Sequence, residues 1–131
     1  MSKKSKRVKH TSRMPAQAEM SISRRLLDHA QQQMMQGDFV GTIATCEPLR
    51  HVFPKRSSMY IEVLSLLGLA HAALYQYPES YDIFTEALTI DPTNAELWYN
   101  RGLASQCVTR VGQSVRDFER AVALARSVTG E

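Results

Sequence analysis

The sequence predicts an all-α fold, an array of about three stacked helix hairpins behind a disordered basic arm. Three observations predict it: core-type residues recur at a spacing of 34, apolar residues within each unit fall at i, i+3, i+4 and i+7, and six basic residues crowd the first thirteen positions. A chain of 131 residues, 44% hydrophobic and 22% charged, can bury one core or one short array rather than two domains. Six glycines and five prolines fit neither a collagen-like nor a wholly disordered composition. No run reaches the roughly 18 apolar residues that cross a bilayer, and no apolar segment follows the start, Met1 to Arg7, as in a secretory signal. A cytoplasmic location is expected, or a nuclear one if the cell has a nucleus. Cys46 and Cys107 stand far apart, so reduced thiols are expected rather than a disulfide framework or a thiolate metal site.

The arm, residues 1–18, carries Lys3, Lys4, Lys6, Arg7, Lys9 and Arg13 and no acid through Arg13. The rest of the chain has ten basic against thirteen acidic residues, so the net +3 is the sum of a +6 arm and a −3 body. With only Val8 and Met14 as sizeable apolar residues, the arm cannot offset its ordering entropy by burial. Its charge suits RNA, DNA, an acidic protein, anionic lipid or a nuclear-import receptor, and equally suits a solubilising leader.

The array, residues 20–126, is clearest from Ile61. At the spacing of 34, Leu64 falls on Trp98, Gly68 on Gly102, Ala70 on Ala104, Ser80 on Ser114, Phe84 on Phe118 and Ala87 on Ala121. Leu64, Leu67, Gly68 and His71 form one helical stripe, and Ile83, Phe84, Ala87, Leu88 and Ile90 a second. Tyr77-Pro78-Glu79-Ser80 reads as the turn between them, with Pro where a missing N–H is harmless. Asp91-Pro92-Thr93-Asn94 stops the second helix and caps the next, which opens the unit 95–128. Glycine and alanine where the helices cross leave room for Phe84 and Phe118.

These residues resemble tetratricopeptide repeats. The pattern of large residue, Leu-Gly, large, small, aromatic, small and Pro is matched by Leu64, Leu67-Gly68, His71, Ser80, Phe84, Ala87 and Pro92 in unit 61–94. Unit 95–128 matches with Trp98, Gly102, Ser114, Phe118 and Ala121, but has Arg101 where Leu is usual and Arg126 where Pro is usual. A divergent first unit, about 23–56, is aligned by its turn, Gln36-Gly37-Asp38-Phe39, which is similar to the Gly-Asp-Tyr corner of the family. That alignment puts Leu26 and Ala30 on the first helix and Thr42, Cys46 and Leu49 on the second, with Pro54 near the stop and four extra residues before Ile61. Pro48 should kink or end the second helix, at a cost of about 3 kcal/mol.

Catalytic constellations are missing from the sequence: there is no Gly-rich phosphate loop, no His-Glu-x-x-His, no Gly-x-Ser-x-Gly and no acid/His cluster at metal-ligand spacing. His71 reads as a packed structural histidine and Cys46 as a small core hydrophobe, while Cys107 falls near the end of a first helix, beside the expected groove. No enzymatic activity, metal or cofactor is expected.

The resemblance implies a right-handed superhelical array whose concave face, lined by first helices, holds a peptide or a partner's helix. Residue by residue it implies a groove of Leu27, Gln31 and Met34, then Glu62, Leu66, Leu69 and Ala73, then Glu96, Tyr99, Asn100, Leu103 and Gln106, with Met35, Ser65 and Cys107 beside them. One subgroup of the family grips a chaperone's C-terminal carboxylate with Lys and Asn at such places. Leu27, Gln31 and Leu66 stand there instead, so that clamp is not implied. An apolar groove edged by Glu62 and Glu96 suits an apolar or amphipathic peptide. The last helix carries Val115, Phe118, Ala121, Val122, Leu124 and Ala125 with no capping helix after it, which leaves open a longer array, self-association or tolerated exposure. The expected function is a non-enzymatic adaptor for a protein or peptide partner. The alternatives are a three-repeat client chaperone and an RNA- or ribosome-associated factor that binds through the arm.

Overall fold

The computed structural model describes residues 16–130; the six basic residues of the arm lie outside them. Six helices follow one another: α1 (Ala16–Met35), α2 (Phe39–Leu49), α3 (Ser58–Ala73), α4 (Tyr77–Ile90), α5 (Ala95–Cys107) and α6 (Val111–Thr129). Each odd helix packs against the even helix after it, and α2 against α3 and α4 against α5 join the hairpins into a stack. The first helices α1, α3 and α5 are neighbours along one side of that stack.

The three hairpin turns share one backbone solution. Gly37, Tyr75 and Thr109 each have a φ between 61° and 79°. The amide that follows each of them returns to the preceding helix: Asp38 N–H donates to Gln33 O at 2.8 Å, Gln76 to His71 O at 2.8 Å and Arg110 to Ser105 O at 2.9 Å. Only the first turn uses the residue suited to this left-handed region, and a β-branched Thr109 is strained there. Thr109→Asn is therefore expected to raise stability by about 0.5–1 kcal/mol. An unchanged or lower urea midpoint would contradict the strain. At three helix starts, side chains satisfy orphan amides: Asp38 accepts from Gly41 N at 2.9 Å, Ser57 from Tyr60 N at 3.2 Å, and Asn94 from Glu96 N at 3.1 Å.

Three expected boundaries move. Tyr77 to Ser80, read as a turn, are the first turn of α4, where Pro78 gives up no helical hydrogen bond. Residues 16–18, assigned to the arm, are helical, because Ala16, Gln17, Ala18 and Glu19 are strong helix formers and extend α1 beyond its hairpin. Helix α3 starts at Ser58 rather than Ile61, since Ser57 supplies a cap and Tyr60 is fully buried. The longer connection before it is anchored by Phe53, which is buried in the core. Pro48 ends α2 one residue later, at Leu49.

The core runs from Leu27 and Ala30 through Cys46, Leu49, Tyr60, Leu64 and Leu67 to Phe84, Leu88 and Leu97. In α1 the inner face differs from expectation by one residue: Leu27 is 1% exposed and Leu26 41% exposed. The inner side of α1 closes on α2 and α3, while Leu26 on the other side is left exposed. Cys46 is buried as expected, and burial, with Glu47 second, pushes its thiol up to about 12.

The second and third hairpins solve one position differently. Where the second buries Leu67 and Ile83, the third has Arg101 and Asp117, a spacing of 34 from each. Arg101 Nε and Nη2 donate to the two Asp117 oxygens at 2.9 and 2.8 Å, and Gln113 Nε2 donates to Asp117 Oδ1 at 2.7 Å. Arg101 also donates to Thr85 at 3.4 Å and lies 5.1 Å from the Trp98 ring centroid and 5.4 Å from that of Tyr81. The hydrogen bond to Asp117 and the carboxylate's charge raise the Arg101 pKa, outweighing the opposing effect of burial.

Candidate functional site

Helices α3 and α5, side by side, leave a cleft of about 340 Å³ at their turn ends, above α4. Small side chains make the space: Ala72 and Ala73 on α3 and Ala104 on α5. Phe84 and Tyr77 reach it from α4, Leu69 and Leu103 form apolar walls, and Asn100, Gln106 and Cys107 supply the polar groups. Leu103 is exposed and Leu69 half-buried against the core, so both present carbon to an incoming chain. Partial desolvation, then the neighbouring Cys107 thiol, raises the Tyr77 phenol above its ordinary pKa. Chemically the cleft can take an apolar side chain while the two amides donate to or accept from a backbone.

Six expected groove residues meet here: Leu69, Ala73, Asn100, Leu103, Gln106 and Cys107. The others do not. Leu27 belongs to the core, with the Arg24 guanidinium bridging α1 to α3 by an Nη1 to Met59 Sδ contact of 2.8 Å. Leu66 also packs against the core. Gln31 and Met34 on α1 are half-buried and lie outside the cleft, Met35 projects into solvent, and Glu62 is exposed on α3. Glu96 and Tyr99 line a separate cleft of about 230 Å³ between α5 and α6, where the Tyr99 and Phe118 ring centroids are 5.8 Å apart. Ala72, Ala104, Tyr77 and Phe84 were not in the expected set. Tyr77 and Phe84 belong to a second helix, which a rule drawn from first helices passes over.

A polar cleft of about 350 Å³ lies where α2, α3 and α4 meet, lined by Glu47, Arg50, His71, Glu79, Asp82, Ile83 and Glu86. Arg50 pairs with Glu86 at 2.8 Å and Glu47 at 3.3 Å, and the Tyr60 hydroxyl donates to Glu86, while Glu79 and Asp82 make no ion pair among the described residues. Burial lowers the Arg50 pKa, but Glu86 and Glu47 outweigh it and the net direction is up. His71 is half-buried rather than packed inside; its Nδ1 is 2.6 Å from Gln76 Oε1, which draws the ring to the turn while Ile83 closes the core. Among the described residues no three His, Cys, Asp or Glu side chains are placed to hold a metal ion, and no helix is long and apolar enough to cross a membrane.

No family model matches the chain. Over 64 residues, 49% of its length, it is 31% identical to Superkiller protein 3 of Saccharomyces cerevisiae, and the match spans 4% of that protein. Among solved structures, a mutant O-GlcNAc transferase of Thermobaculum terrenum superposes on 81% of the chain with a TM-score of 0.73 and 24% identity, over 20% of its own length. The TPR domain of Sgt2 from Aspergillus fumigatus superposes on 79% with a TM-score of 0.71 and 17% identity, over 66% of its length. The first TPR domain of human RPAP3 superposes on 78% with a TM-score of 0.70 and 15% identity, over 77% of its length.

Proposed function

Because the chain folds as a tetratricopeptide-repeat array, we propose that it is a non-enzymatic scaffold for protein–protein interaction. Its concave cleft takes an apolar side chain of a partner's peptide or helix. The observation that carries this reading is the convergence of Leu69, Ala73, Leu103 and Phe84 into one apolar cleft rimmed by Asn100 and Gln106. An apolar anchor seated in such a cleft supplies affinity, and two amides at its edge fix the direction of the bound backbone.

The test uses the thiol at the rim. At neutral pH Cys107 should alkylate readily and Cys46 only on unfolding, since one is exposed and the other buried. A partner seated in the cleft should slow alkylation of Cys107. Leu69→Glu and Leu103→Glu should each weaken that partner by about 30-fold or more, the loss of a central anchor. Capture that survives both substitutions with helicity intact, or that leaves Cys107 as reactive as before, would place the partner elsewhere.

A further inference from the structure

Helix α4 packs against α5 and buries Phe84 and Leu88. At a spacing of 34 from Tyr81, Phe84 and Leu88 stand Val115, Phe118 and Val122 of α6, the face that α4 uses to hold the next helix. Among the described residues nothing covers it: Val115 is 52% and Val122 49% exposed. The apolar stripe Val111, Val115, Phe118, Val122 and Ala125 alternates spacings of four and three, the seam along which two helices pack side by side. Val122 is a ridge between two hollows. One, of about 420 Å³, is edged by Phe118, Glu119 and Arg126; the other, of about 230 Å³, by Tyr99 and Ala125.

We infer that this face docks a second copy of the chain, α6 against α6, antiparallel about a two-fold axis near Val122. The charges select that arrangement. Glu119 and Arg126 bracket Val122 along one edge, and neither makes an ion pair among the described residues. Reversing one helix against the other keeps this edge against itself and sets Glu119 of each copy beside Arg126 of its partner, so the attraction is made twice, whereas in a parallel pair the same edges lie on opposite sides of the seam and the attraction is lost.

Head-to-tail stacking fits less well. A copy that presented α1 to this face would bring Arg25 and His29 to the places where α5 brings Leu97, which is buried, and Arg101. Arg25 would then be buried at a position built for leucine. About a two-fold near Val122 the two helices overlap only from Val115 to Thr129, about 21 Å, so the contact is small and the dimer dissociates on dilution.

Sedimentation velocity on the full chain, over about a hundredfold range of concentration, should show a monomer–dimer equilibrium and nothing larger. Val122→Glu should abolish the dimer. Glu119→Arg and Arg126→Glu should each weaken it by about 3- to 10-fold, and the double exchange should restore it. Circular dichroism on every variant separates lost docking from lost folding. A wild-type chain that stays monomeric throughout, or that grows beyond the dimer as head-to-tail stacking requires, overturns the inference. So does a double exchange that leaves the dimer as weak as either single variant.

Discussion

Asp117→Ala is expected to lower the unfolding free energy by about 3–5 kcal/mol, the effect of removing one partner from a buried ion pair. Asp117 is fully buried, and its two oxygens hold Arg101 at 2.9 and 2.8 Å. Without the carboxylate, the guanidinium keeps Thr85 and its contacts with the Trp98 and Tyr81 rings but loses its bidentate acceptor, and Gln113 loses its own. The second hairpin shows the repair. Arg101→Leu combined with Asp117→Ile reproduces its Leu67 and Ile83 and removes both charges together, so the double variant should return to within about 1–2 kcal/mol of the parent. Urea denaturation measures all of these. A loss below about 1 kcal/mol in Asp117→Ala, or a double variant as unstable as the single, would show that the pair does not hold the third hairpin.

Phe84→Ala should cost about 3–5 kcal/mol, and Phe118→Ala, its counterpart one unit later, roughly half of that. Both rings lie across a glycine so closely that a Cβ on Gly68 or Gly102 would come within 2.6 Å of the ring. The difference lies on the far side. Phe84 is 1% exposed because α5 closes over it, so truncation removes packing on nearly every side and deepens the cleft beside it. Phe118 has solvent on that side and loses fewer contacts. Thermal and urea unfolding of the two variants at low protein concentration give the comparison. Equal losses would mean that the last helix is packed as fully as the one before it.

The helix hairpins, the Asn94 cap and the closing pairs of glycine with phenylalanine were legible in the sequence, because each depends on residues close in the chain or one repeat apart. The face of α1 was not. Helical periodicity places Leu26 and Leu27 on adjoining sides, but which side is covered depends on α3, far along the chain. For the same reason the expected groove divided: Tyr99 leans toward Phe118 and Leu66 into the core, each drawn by a neighbour outside its own helix. The ion pair was legible in principle. Arg101 is a departure from the repeat pattern, and Asp117 in place of Ile83 is a second departure at the same spacing, but one helix read alone shows only half of the exchange.

That exchange also gives the hairpins an order. Leucine against isoleucine accepts many neighbours, whereas a guanidinium that reaches Thr85 and the Tyr81 ring accepts only a preceding unit that carries them. The third hairpin presents Glu119 and Val115 at those two places, so it cannot stand in for the second beneath a copy of itself on the same terms. The units are alike in outline but not interchangeable, and a chain shuffled from them would have lost its sense of sequence.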